Sequence, residues 1–202
     1  MKRLTFGSIL CLLLALVGLG SCNDSSLRKD ILGEWEGDPS TLKALERITN
    51  GRAKFHSYNF IFNDEKQGVL NLEYTMTSKM DGMVIDLRLA FAEPLTYSIL
   101  GGRLSFTLDQ AAARVELLEY LINGKACLDL LREEAKDKDE QAIQEAYEKI
   151  KKEMEESVKE GMRESLGASA FEDLGNDIKV KDGVLSMRAT DGVPLSFHRK
   201  KS

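Results

Sequence analysis

The sequence predicts an α+β fold in which an antiparallel up-and-down sheet of about eight strands is interrupted, before its last strands, by an inserted α-helical hairpin. Three observations predict it. Residues 52–108 alternate with period two and are punctuated by polar turns. From 111 to about 167 that alternation is lost and apolar residues recur at helical steps amid dense charge. After 177 three short alternating runs close the chain. The length of 202 residues, with 43% hydrophobic and 30% charged, suits one globular domain and excludes a collagen-like, disulfide-scaffold or wholly disordered chain.

Residues 1–21 read as a leader. Lys2 and Arg3 form a positive start, and Ile9 to Leu19 is an apolar run broken only by Gly18. The run is shorter than the roughly 20 apolar residues a membrane span needs. Leu19-Gly20-Ser21-Cys22 ends it with small residues before a cysteine. This segment resembles the lipobox of bacterial lipoproteins. The resemblance implies that the Cys22 thiol takes a diacylglyceryl group, that the leader is cut before it, and that the new N-terminus is acylated. Two or three acyl chains make a durable anchor, at about 0.8 kcal/mol per buried methylene. An ordinary secretory leader with an incidental cysteine is the alternative. Residues 22–30, opening Asn23-Asp24-Ser25-Ser26, read as a lipidated polar tether. Asn23 stands where, in some bacteria, an aspartate directs inner-membrane retention, so the resemblance implies a cell-envelope protein of the outer membrane.

The remaining counts agree with export. Cys11 leaves with the leader, and with Cys22 lipidated, Cys127 is the one thiol left, so the mature chain has no intramolecular disulfide. No His, Lys or Arg cluster flanks Cys127, which reads as a core residue. Net charge is −5, and −7 without Lys2 and Arg3 (26 basic against 33 acidic). Such a balance disfavours nucleic acid, whose binders need basic stripes.

The domain, 31–202, opens on Ile31-Leu32-Gly33-Glu34-Trp35, a short strand carrying the only Trp. Leu42, Leu45 and Ile48 then predict a helix with Ser40 as its cap and Asn50-Gly51 as its stop. In the next strand His56, Tyr58, Phe60 and Phe62 are expected on one face, against Phe55, Ser57, Asn59 and Ile61. Leu70, Leu72, Tyr74 and Met76 share one face of a third strand, and Asp81-Gly82 is a strong hairpin signal. Met83, Ile85, Leu87, Leu89 and Phe91 follow, and Glu93-Pro94 breaks the run. Leu95, Tyr97 and Ile99 face Leu104, Phe106 and Leu108 across Gly101-Gly102. Val115, Leu118 and Ile122, then Ile143, Tyr147, Ile150, Met154, Val158 and Met162, predict helices over roughly 111–134 and 139–166, with Asn123-Gly124 as a kink. Ile178 and Val180, then Leu185, Met187 and Ala189, then Leu195 and Phe197 are the closing strands.

Gly33 and Trp35 form a G-x-W element before a meander of hairpins, and the chain closes on IKVKDGVLSMRATDGVPLSFHRK. Together these resemble the lipocalin-like domains of small bacterial envelope lipoproteins, over 31–108 and 177–200. Residues 111–176 fall outside the resemblance, as an insertion. It implies an up-and-down barrel with Trp35 at the closed end and Arg199 lying across it, a fold-closing trio with Gly33. Closure suits hairpin strands, whose edges it removes.

No catalytic constellation is present. No phosphate loop, G-x-S-x-G or H-E-x-x-H motif occurs, and His56 and His198 lack neighbouring ligands. An enzyme, a metal site and a cofactor are therefore not expected. The candidate ligand-lining residues are Tyr58, Tyr74, Met76, Met83, Leu87, Phe91, Tyr97 and Met187, an apolar and adaptable set if they point inward. The alternative is that they fill the barrel as plain core. Two functions follow as expectations: a non-enzymatic binder of a small apolar ligand, or an envelope scaffold that meets a protein partner through the helical hairpin.

Overall fold

The structure is a computed structural model, described over residues 24–109, 111–135, 139–165, 176–189 and 192–200. The leader and Cys22 lie outside the described residues. A helix α1 over 24–30 precedes β1 (Gly33–Gly37), α2 (Pro39–Ile48), β2 (Ala53–Phe62), β3 (Gln67–Met80), β4 (Met83–Leu100) and β5 (Arg103–Leu108). Then come β6 (Arg114–Ile122), β7 (Lys125–Ala126), α3 (Cys127–Glu134), α4 (Glu140–Ser165), β8 (Asn176–Lys181), β9 (Val184–Arg188) and β10 (Pro194–Arg199). The fold is α+β, with one antiparallel sheet in the order β7-β6-β4-β3-β2-β1-β10-β9-β8 and β5 beside β4. The sheet is not closed into a barrel. Its far strand β8 meets the β4–β5 turn through a single bond, Ile178 N–H to Gly102 O at 3.1 Å, and no ladder forms between β8 and β5.

Left-handed two-residue turns set the hairpins. Asp81 and Gly82 have φ of 52° and 79°, and Asp182 and Gly183 repeat the pattern at 52° and 75°. Such turns match the twist of the strands they join. β4 continues through Glu93-Pro94, contrary to the expected break. On its β3 side the ladder is uninterrupted, Leu70 opposite Glu93 and Val69 opposite Pro94. On its other side the partner changes from β6, ending at Ala92 opposite Arg114, to β5, starting at Leu95 opposite Leu108. The Pro94 carbonyl accepts the Asp109 N–H at 2.8 Å on that side. The missing Pro94 N–H therefore falls where one neighbour leaves and the next arrives, so no ladder bond is lost.

The helical insertion starts at Cys127, not at Ala111. Residues 114–122 are strand β6, and Asn123-Gly124 (φ 51° and 78°) is a hairpin turn into β7 instead of a helix kink. A β-bulge explains the misleading spacing. Leu117 pairs with Leu89, but Arg88 pairs with Glu119, so Leu118 is an extra residue. The inward set is Val115 and Leu117 before the bulge and Tyr120 and Ile122 after it. Leu118 is left 43% exposed. Beyond the strand, α3 and α4 pack together, and α4 rests on β6.

The expected tether is in part a docked helix. In α1, Leu27 and the following Ile31 are buried in the core. The Asp24 carboxylate accepts the Gly101 and Gly102 N–H groups at 2.8 and 3.2 Å, and Arg28 Nη2 donates to Ile99 O at 2.9 Å. The cap of α2 is Asp38, whose side chain accepts the Thr41 N–H at 2.8 Å. Ser40 instead donates its hydroxyl to Asp38. Thr41, fully buried, exchanges two bonds with the Ser196 backbone and fastens α2 to β10.

Candidate functional site

One face of the sheet is apolar along its length, yet its side chains form two clusters. The first lies under β1, β2, β5, β9, β10 and the C-terminal half of β4, and it is filled with rings. Phe60 has the centroids of Tyr58, Phe62, Phe106 and Phe197 at 5.2, 5.6, 5.5 and 5.4 Å. Tyr97 meets Phe62 at 4.8 Å. The second lies under the N-terminal half of β4 with β3 and β6. Leu87, Leu89, Phe91 and Leu117 are its buried floor, and Leu72, Tyr74, Met76, Met154 and Val158 are among the half-buried side chains around it.

The eight candidate lining residues therefore do not share one cavity. Tyr58, Tyr97 and Met187 belong to the first cluster as core, while Tyr74, Met76, Leu87 and Phe91 belong to the second. Met83 joins neither. It stands 39% exposed opposite Met80 at the β3–β4 turn. The reason is length: β4 has 18 residues, and one face of it serves both clusters. Glu93, 4% exposed, sits on that face between Phe91 and Leu95, at their boundary. Burial, and then the nearby charge of Asp109, raises the pKa of its carboxyl.

The second cluster is less completely covered than the first. Tyr74 stacks on Phe91 (5.5 Å, 8° between planes) and meets Phe55 at 5.5 Å. Burial pushes the Tyr74 phenol up to about 12, so it is neutral and a hydrogen-bond donor at physiological pH. On the β6 side, Met154 and Val158 of α4 cover the floor. Glu155 accepts the Leu117 N–H at 2.8 Å, which satisfies a donor at the bulge and fixes the helix there. Toward β3 and β2 the face carries the half-buried Leu72, Tyr74, Met76 and Phe55. The result is a partly open apolar face of aromatic, thioether and aliphatic side chains. Phe55, Leu117, Met154 and Val158 were not among the expected lining residues. Strict alternation puts Phe55 on the other face, but the bulge between Phe55 and Ser57 shifts the alternation at His56. Met154 and Val158 are legible only as one stripe of α4.

Two shallow grooves mark the opposite face along β4. One, of about 320 Å³, runs between Asn71, Glu73, Ala90 and Arg114. The other, of about 510 Å³, runs between Gln67, Pro94, Thr107 and Asp109. Glu73, beside the first, is held by Arg88.

At the other end, Trp35 is fully buried opposite Arg199 in register, with the guanidinium carbon 4.4 Å from its ring centre. Arg199 donates to Leu32 O and Asp30 O, at 2.7 and 2.5 Å, and Trp35 Nε1 donates to Ile31 O. Gly33 has φ +114°, and a Cβ there would stand 3.0 Å from Arg199 Nη1. The glycine thus provides both the backbone angle and the room for the arginine.

His56 is exposed against Thr75 Oγ1, and His198 is exposed opposite Glu36 and Val184. Cys127 is buried, which raises its thiol pKa. Among the described residues no group of His, Cys, Asp and Glu could hold a metal ion, and no helix is long and apolar enough to cross a membrane. Comparison with protein families, curated proteins and solved structures finds no match for this chain.

Proposed function

We propose that this protein is a lipid-anchored, non-enzymatic component of the bacterial cell envelope, of the outer membrane, that binds a small apolar ligand on the partly open apolar face of β3 and β4 beside α4. The observation that carries the ligand reading is the half-buried Tyr74, stacked on the buried Phe91 in one cluster with the half-buried Met76 and Met154. The lipobox ending at Cys22 supports the anchor. The strand path β5-β4-β3-β2-β1-β10-β9-β8 is an eight-strand antiparallel array. Its ends approach at Ile178 and Gly102, which supports a lipocalin-like barrel. The ligand reading stands ahead of a protein partner at the helical hairpin, because α4 turns Met154 and Val158 to the sheet.

The test is native mass spectrometry of the detergent-extracted chain from its own cells, with binding of the apolar fluorophore 1-N-phenylnaphthylamine as a second measure. The wild type should carry a small-molecule adduct that the fluorophore displaces. Tyr74→Glu and Met76→Glu should each lose both signals while unfolding as cooperatively as the wild type. A wild-type chain with neither signal, or folded variants that keep both, would overturn the ligand reading.

A further inference from the structure

The anchor cysteine and the folded domain are closer than a tether allows. Asp24 is buried, and its carboxylate is held by the N–H groups of the β4–β5 turn, Gly101 and Gly102. One turn of helix later Leu27 enters the core, and Arg28 holds the Ile99 carbonyl of the same turn. Between Cys22 and this docked helix stands only Asn23. Two residue steps span at most about 7 Å even when fully extended. A lipid on Cys22 therefore brings the β4–β5 turn to the bilayer surface with no freedom to drift away.

The turn carries side chains that suit that surface. Leu100 is 76% exposed, an unusual state for a leucine at the tip of a strand whose alternate residues are buried. Its cross-strand partner is Arg103, also exposed, and Lys29 is exposed on α1. An apolar side chain beside cations fits the interface of a bilayer bearing anionic headgroups.

We infer that the end of the domain bearing α1 and the β4–β5 turn is a membrane-docking surface, with Leu100 in the lipid interface and Arg103 among the headgroup phosphates. The inference rests on lipidation of Cys22, as proposed above. It fixes an orientation. The β3–β4 turn at Met80 lies 17 strand steps along β4 from Leu100, on the order of 50 Å at about 3.3 Å per residue, so it points away from the bilayer.

The experiment uses the full chain, processed in bacterial cells and reconstituted in vesicles of phosphatidylethanolamine and phosphatidylglycerol. In a Cys127→Ala background, Leu100→Cys and, separately, Met80→Cys carry an environment-sensitive fluorophore. Mass spectrometry of the N-terminal peptide reads acylation in the same samples. The label at 100 should be quenched several-fold more by headgroup-level spin-labelled lipid than the label at 80. A flexible Gly/Ser spacer of about twelve residues, inserted between Asn23 and Asp24, should abolish that difference while the chain stays on the vesicles. Acylated, vesicle-bound protein with equal quenching at both positions would overturn the docking surface alone, as would a spacer without effect. An N-terminal peptide without the acyl mass would overturn the anchor itself, and the docking surface with it.

Discussion

Replacing Trp35 with Ala should remove the largest fully buried side chain of the first cluster. It lies at the meeting of the first and last strands, where no exposed surface remains to let water compensate. Truncating a buried Trp costs about 3–5 kcal/mol, a large share of the roughly 5–15 kcal/mol that holds a domain together. For a domain of this size that corresponds to a fall in Tm of about 6–20 °C. Trp35→Phe keeps a ring but leaves the Ile31 carbonyl without its indole donor, so it should cost about 1–3 kcal/mol. Arg199→Ala should cost about 1 kcal/mol, because the guanidinium is exposed and its attraction to the ring is screened. The two sites touch, so the double variant should lose less than the sum, by about 0.5–1 kcal/mol. Urea unfolding followed by far-ultraviolet circular dichroism, with the m-value unchanged, measures all four. A Trp35→Ala loss under about 1 kcal/mol, or red-shifted and freely quenched Trp emission in the wild type, would refute the argument. Either would mean that the ring is not packed as described.

Changing Cys22 to Ala should release the protein from membrane fractions or leave an uncleaved precursor, and a variant processed and fractionated like the wild type would exclude lipidation. Asp24→Ala strands the Gly101 and Gly102 N–H groups and should cost about 1–3 kcal/mol, with faster hydrogen exchange over 24–31 and 98–104. Thr41→Val keeps the volume but unpairs the Ser196 N–H, while the Ser196 carbonyl keeps the Asp38 N–H, for a loss of about 1–2 kcal/mol in urea unfolding. Burial pushes Tyr74 and Tyr97 up to about 12, with Asp64 and Glu65 adding to the shift at Tyr97. The unfolded chain releases these protons near pH 10 and the folded chain only near 12, so stability should be full below 10 and fall between 10 and 12. A Tm that is flat across that range would contradict the burial of both phenols.

The elements built from uninterrupted alternation were legible, and those containing one extra residue were not. Leu70 to Met76 and Leu95 to Ile99 present the faces their spacing predicts. At His56 and Leu118 a bulge adds a residue, and every later side chain changes face. In β6 the extra residue gives Val115, Leu118 and Ile122 the spacing of a helix, although the segment is a strand. Pro94 misled in the opposite way. A proline inside an apolar run argues for a break, but the strand needs an N–H there only if it has a neighbour on that side. The docking of residues 24–30 had no periodic signal. It depends on a carboxylate finding two glycine N–H groups 77 and 78 residues away, a pairing created by the fold.

The candidate site follows from the same irregularities. A regular meander of equal strands would place all its inward residues in one core. Here β3 and β4 outrun their neighbours, and at Pro94 β4 passes from β5 to β6. Up to that point the sheet curls on itself around stacked rings and Trp35. Beyond it α4 packs against the same apolar face, held over β6 through Glu155 at the bulge. The burial reflects this division. Trp35, Ile99, Leu104, Leu185 and Phe197 are fully covered, whereas Tyr74, Met76, Met154 and Val158 remain partly open. Apolar groups left partly open gain free energy from any apolar partner that displaces their water. The closed cluster supplies stability and a fixed attachment for α1, and the open cluster, at Phe91 and earlier, begins nine strand steps from Leu100 and leaves apolar surface partly uncovered.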